Sequence, residues 1–289
     1  MSDAADPPPA DLKPDHQPTP EPIGPPLAWQ PFTFRGAAAF AQAPGLRLFL
    51  MQVVVAALSA ATLVWFLGHC YRPVITQAVE ELPAAATLTN GQISGFTNTL
   101  NSETKFLSIA IAQEDDADLG QAADIQITLR RDHLEISSLV SSALGSFDWP
   151  YPKDSVLDLS RGHLEPLWGA WQQVALAGIG VAIFGSLLVC WILLSILYAP
   201  AAKFVAWYCD RQLSWLGARR LASAALLPGA LVLSLGILLY GWRRVDVFGF
   251  AFIAVTHLLV GWIYVLAAPV FTPPLGPVSP NPFQGNTLD

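Results

Sequence analysis

Residues 48–68 run for 21 positions without one charged side chain. As a helix rising about 1.5 Å per residue, such a run matches the roughly 30 Å hydrocarbon core of a bilayer. No other feature restricts the possible folds so strongly, because an uninterrupted apolar run of this length reads as a membrane span rather than as a core helix. Three further runs follow, each long enough to cross a membrane. The expected fold is an α-helical integral membrane protein with four transmembrane helices, at 46–68, 172–198, 221–240 and 247–271. Only 13% of the residues are charged, against about 25% in ordinary soluble chains. The net charge of −7 offers no basic face, which argues against nucleic-acid binding. A cleaved signal peptide would start near the N-terminus, with an apolar region of roughly 7–15 residues; the 45-residue leader points instead to an uncleaved anchor.

The segments outside the spans differ in kind. Residues 1–45 read as a disordered, Pro-rich cytoplasmic tail: the first 31 contain ten prolines and five acidic residues against the single Lys13, too little apolar surface to offset ordering entropy. Pro22 and Pro25 leave open a polyproline site for an SH3-like groove. Residues 73–165 have the composition of a soluble α+β module inserted between helices 1 and 2. Asn90-Gly91 marks a tight turn between two short strands, residues 105–112 read as a strand, and 124–129 with 133–138 alternate apolar and polar side chains as a hairpin. Residues 76–82 suit a short helix continuing from the membrane. Residues 199–220 form a basic cytoplasmic or interfacial connection, and 272–289 a second Pro-rich cytoplasmic tail.

Lys and Arg set the orientation. Arg35, Arg47, Lys203, Arg211, Arg219 and Arg220 fall on one side, and Arg72, Arg161, Arg243 and Arg244 on the other. The richer side is cytoplasmic by the positive-inside rule, which puts both termini in the cytoplasm and the module outside it, in a bacterial inner membrane. The module carries five basic against fourteen acidic residues, a net −9, and the membrane portion nine against three. The module should therefore prefer neutral or cationic ligands.

Candidate chemistry is sparse. No Asp, Glu, Lys or Arg lies within the spans, which disfavours an autonomous ion-coupled transporter. His257 is the one ionisable group there, and a haem or metal ligand would want a partner in a facing span. No cofactor or metal is implied. Glu114, Asp115, Asp116 and Asp118 suggest a calcium loop, but an EF-hand needs glycine sixth and glutamate twelfth, where Leu119 and Ile125 stand; a solvated acidic turn or an irregular cation site remains. Asp148, Asp154 and Asp158 could supply carboxylates for a hydrolase. Phe147, Trp149 and Tyr151 could form an aromatic ligand platform, an interfacial anchor or a packed edge. Gly178, Ala182 and Ser186 recur at four-residue spacing, a pattern that lets helices approach closely, either within the four-helix group or in a homodimer.

The single span, the proline (Pro83) ahead of the Asn90-Gly91 turn, the hairpin DIQITLRRDHLEIS and the C-terminal group of spans together resemble a domain-of-unknown-function family of bacterial multi-pass membrane proteins. The likeness covers residues 40–271. Some members of that family are associated with maltodextrin utilisation, and the resemblance implies no defined site. The long Pro-rich leader and the tryptophan-rich membrane portion depart from its pattern.

Three functions fit these features: a non-enzymatic scaffold or sensor whose module binds a partner or ligand, an accessory component of a carbohydrate uptake system, and a membrane hydrolase. The expected partners are the lipid bilayer and a membrane protein or a second copy of the chain. A reporter fused after Asp289 is expected to read as cytoplasmic; a reporter active outside the cytoplasm would contradict the four-span arrangement.

Overall fold

In the computed structural model, residues 30–96, 100–111, 120–140, 145–154 and 156–275 are described. Four helical stretches are long and apolar enough to cross a membrane: Gly45–Glu80, Arg161–Tyr208, Trp215–Gly241 and Val247–Phe271. Between the first and second lie two small sheets, so the chain is a set of long apolar helices carrying an α+β module.

The first stretch is one continuous helix with a π turn in it. Helix α2 (Gly45–Phe66) passes through the π segment Leu67–Tyr71 into α3 (Arg72–Glu80) without a break. Pro73, the second residue of α3, has no N–H to donate into the preceding turn and follows directly on the π segment, where the regular ladder is already interrupted. Helix α3 then serves as the lid of the module: Ala78 packs with Ala86, Phe96 and Ile111, and Leu82, Ile109, Leu129 and Leu159 close around them. The long apolar helix thus ends inside the module's core rather than in a linker.

The module's small sheet has the order β2-β1-β8, where β1 is Thr87–Thr89, β2 is Gln92–Ser94 and β8 is Val156–Asp158. Asn90 and Gly91, at φ 54° and 75°, make the turn between β1 and β2; Gly has no Cβ to oppose a positive φ, and Asn tolerates one well. The larger sheet runs β3-β4-β5-β6-β7: Leu100–Glu103, Leu107–Ile111, Ile125–Leu129, His133–Ser138 and Phe147–Pro150. Its β5–β6 hairpin pairs Ile127 with Ile136, as the alternation predicts. The β4–β5 pair is parallel, Ile109 opposite Ile127. The Ile93 N–H donates to the Arg131 carbonyl at 2.8 Å and joins the two sheets.

Helix α4 (Arg161–Tyr208) leaves the module with its first N–H bonded to the Pro83 carbonyl. Its 48 residues exceed the roughly 20 needed to span a membrane, so the helix continues past the expected span at 172–198. Lys203 lies within it and does not end it, because the ammonium reaches the Leu213 carbonyl. The connection expected over 199–220 is correspondingly short, since α5 (Trp215–Ala225) begins after the Ser214 cap. Pro228 sits in the first turn of α6 (Leu227–Gly241) and marks the break between α5 and α6. A tight turn then leads into α7 (Val247–Ala267), capped by Asp246 accepting from the Gly249 N–H at 2.7 Å.

The third stretch is the centre of the bundle: 56% of its apolar window is buried, against 11% in the second and the fourth. Val55 and Ala56 of α2 meet Trp191 of α4 and Leu227 of α6 in one cluster. Two polar ties cross this apolar group, Gln52 Nε2 to Ser223 Oγ at 2.7 Å and Ser234 Oγ to Ser59 Oγ at 2.9 Å. Such hydrogen bonds between helices supplement van der Waals packing where no hydrophobic effect drives association.

Residues 30–45 differ from the disordered tail expected there. Helix α1 (Phe34–Ala39) is capped by Thr33, and Ala37, Ala38 and Phe40 are buried against the far ends of the long helices. Small alanines on facing segments (Ala202, Ala206, Ala218, Ala225 and Ala268) make room for it. Arg220 donates to the Ala43 carbonyl at 3.0 Å and Arg211 to the Thr272 carbonyl at 3.1 Å, so two of the cations used for the orientation also tie the termini to the bundle. The disorder expected for residues 1–29, and the tail over 276–289, lie outside the described residues.

At Gly229 a Cβ would stand 2.6 Å from the His257 carbonyl oxygen, whereas at Gly178 it would meet nothing within 4 Å. Gly229→Val is therefore expected to lower stability by about 1–3 kcal/mol through overpacking, read as a fall in the melting temperature of the detergent-solubilised protein. Gly178→Ala should leave that temperature unchanged.

Candidate functional site

The most elaborate polar and aromatic arrangement lies where the module meets the module-side ends of α2 and α6. Phe106, between β3 and β4, packs edge-on against both Phe66 and Tyr240, with ring centroids 5.6 and 4.9 Å away. Phe66 and Tyr240 stack on each other at 5.5 Å, and Phe250 of α7 stacks on the other side of Tyr240 at 5.0 Å. Within this packing the Tyr240 hydroxyl donates to Asp124 Oδ2 at 2.7 Å. Asp124 is 5% exposed, and a carboxylate so deeply placed needs a donor. Its main chain is also held at the joint: its N–H donates to the Lys105 carbonyl and its carbonyl accepts from Leu139. Helix α6 therefore holds the residue just before β5, where the module's central hairpin begins.

The π segment belongs to the same place. A π turn adds a residue to the helical repeat and turns the following side chains to a new face. Here His69 stacks on Trp65 with centroids 5.4 Å apart, Cys70 is buried, and Trp168 of α4 donates to the Thr76 hydroxyl at 2.9 Å. Arg243, with φ 59°, holds its guanidinium 5.9 Å from the centre of the Phe106 ring, a cation–π distance.

Two cavities flank the cluster. One, of about 410 Å³, is almost wholly apolar and lies between Leu63, Tyr71, Ile125, Val140, Ile237 and Phe250. The other, of about 300 Å³, is more polar and is lined by His69, Cys70, Thr104, Phe106 and Arg243.

The aromatic platform expected from Phe147, Trp149 and Tyr151 is divided. Phe147 and Trp149 sit on the edge strand β7, 59% and 61% exposed, with ring centroids 6.0 Å apart. Tyr151 is drawn inward beyond the strand, its N–H bonded to the Asp132 carbonyl and its hydroxyl buried with no hydrogen-bond partner among the described residues. Burial, helped by the nearby Asp132 charge, pushes its pKa up to about 12.

Of the carboxylates considered for hydrolysis, Asp154 is exposed in a turn and the other two are held by local bonds. Asp148 accepts from the Ser146 hydroxyl at 3.3 Å, and Asp158, in the other sheet, is held below the usual carboxylate range by the Ser160 hydroxyl and then by the Ser160 N–H, which donates to it at 2.8 Å. A general acid needs the opposite shift. The acidic stretch at residues 114–118 lies outside the described residues. His257 bonds to the Ala254 carbonyl of its own helix rather than to a neighbouring helix. Gly178, Ala182 and Ser186 are exposed on the outer face of α4, and the Ser186 hydroxyl bonds back to the Ala182 carbonyl at 2.7 Å. They do not pack within the bundle: that contact falls to Gly180, which a Cβ would bring 2.9 Å from Val64.

No family model, curated protein or solved structure matches the chain.

Tyr240→Phe would leave Asp124 buried without its donor and is expected to cost about 1–3 kcal/mol, seen as a lower melting temperature and faster proteolysis of the module. Asp124→Asn keeps an acceptor there and should cost less. The Tyr151 pKa, raised from 10 to about 12, means that the fold keeps its full stability below pH 10 and loses part of it as pH climbs towards 12. Tyr151→Phe should remove that slope without lowering stability at neutral pH, because the deleted hydroxyl has no partner to lose.

Proposed function

We propose that this chain is a multi-pass inner-membrane protein, non-enzymatic, whose module lies outside the cytoplasm and recognises a partner or ligand while the helices anchor it in an assembly or relay its state inward. Both termini are then cytoplasmic. The observation that carries the reading is the joint: an uninterrupted helix runs from the bundle into the core of the module, and a buried Tyr240–Asp124 bond ties a second helix to the same sheet. A module held merely as a passive appendage has no need of two rigid attachments. A photoreactive amino acid in place of Trp149, on the exposed edge strand, should give one discrete heavier adduct in living cells. Lack of any adduct from that strand would contradict recognition through this face.

A second reading, an accessory role in carbohydrate uptake, draws support from the exposed Phe147–Trp149 pair, since paired rings offer an apolar face to a sugar. It also fits the resemblance to a family with members linked to maltodextrin utilisation. Maltodextrin-dependent quenching of tryptophan fluorescence in the whole protein, lost in Trp149→Ala, is expected on this reading. Identical spectra with and without the sugar would remove its support.

A further inference from the structure

The cavities beside the joint differ in chemistry and share one aromatic wall. The larger, about 410 Å³, falls in the roughly 300–1,000 Å³ range of small-molecule sites and is lined by apolar side chains from α2, α6 and α7 on one side and from the module on the other. Phe66 and Tyr240 line it, and the Phe106 ring packed against both lines the smaller, polar cavity. Crossing that wall passes from apolar side chains to His69, Thr104 and Arg243.

Three cations crowd this end of the molecule. Arg243 and Arg244 form the exposed turn between α6 and α7, and neither has an ion pair among the described residues. Lys105, next to Phe106, is exposed as well. Asp124 lies buried under Tyr240 and Asp246 caps α7 through the Gly249 N–H, and neither forms an ion pair with these cations among the described residues. The acidity of the module as a whole does not neutralise this patch locally. The arginine pair also lies on the side with fewer cations, where the positive-inside rule gives it no purpose.

We infer that the joint is a binding site for an anionic bilayer lipid, with an acyl chain in the apolar cavity between α2, α7 and the β5–β6 hairpin and the phosphate-bearing headgroup on Arg243 and its neighbours. The occupant follows from position and charge together. The cavity lies at the ends of the long apolar helices, where in a bilayer acyl chains meet headgroups, and the Arg243 guanidinium across its aromatic wall, in no ion pair among the described residues, selects a negative headgroup over a zwitterionic one. A lipid seated there touches α2, α7 and the hairpin that Asp124 begins, so its occupancy bears on the attachment of the module. The inference rests on membrane embedding but not on any partner of the module.

The test uses the full chain in phosphatidylcholine nanodiscs, with a trace of phosphatidylglycerol or of phosphatidylcholine bearing a diazirine at mid-chain. Photolysis is expected to label the peptides containing Val140 and Phe250, with roughly tenfold more adduct from the phosphatidylglycerol probe. Ala251→Trp, which fills the cavity, should abolish this labelling, and Arg243→Gln with Arg244→Gln should equalise the two probes. Equal labelling by both probes in the wild-type protein, or labelling confined to the outer face of α4, would overturn the proposal. The arginines lie in an exposed turn, so their double variant decides the matter even if Ala251→Trp fails to fold. Retention in membranes after an alkaline carbonate wash reports separately on embedding.

Discussion

The contact on which the architecture turns is the edge-on packing of Phe106 against the stacked Phe66 and Tyr240 rings, with the buried hydrogen bond from Tyr240 to Asp124 beside it. The aromatic packing excludes water from the bond, and the bond makes the packing selective, since a buried carboxylate left unpaired costs more than the pair contributes in net stability. Each half thereby protects the other. The three rings come from the first long helix, the module and the third long helix, so one cluster sets the position of the module relative to the bundle.

This arrangement shapes the remainder of the molecule. The first helix does not stop where its apolar run ends but turns through a π segment and becomes the lid of the module's core, while α4 starts beside that lid and returns across the bundle. At the opposite end no comparable module exists among the described residues. There the chain uses alanine-rich contacts and the side chains of Arg211 and Arg220 on main-chain carbonyls to gather residues 30–45 and 272–275 against the helix ends. The two ends thus solve different problems: one holds a folded module in register, the other fastens terminal segments.

Much of this was legible in the residues, and what was not shares a cause. Uncharged runs announced the four long helices, and strict alternation over 124–129 and 133–138 announced the hairpin, because each pattern reports on a local period. The parallel β4–β5 pairing and the bond between residues 116 positions apart depend on which distant segments meet, and no local period encodes that. Tyr240 looked like the interfacial end of a span and Asp124 like the first residue of a strand. A carboxylate opening the most regular apolar strand of the module was the available signal. Spacing in Gly178, Ala182 and Ser186 correctly grouped one helix face but carried no information about what lies opposite it. Residues 30–45 were obscured by the proline-rich composition before them, although Phe34, Phe40 and the alanines between them supply the apolar face that the helix buries.

The central claim is that module and bundle form one mechanical unit through α3 and the Tyr240–Asp124 bond. Amide hydrogen exchange of the full chain in nanodiscs tests it most directly, because elements that open together share one protection level. In a single unit, α3, strands β4 and β5 and the last turn of α6 exchange slowly and lose protection together as denaturant is added. Rapid exchange throughout α3 while β4 and β5 stay protected would show a flexible linker and contradict it.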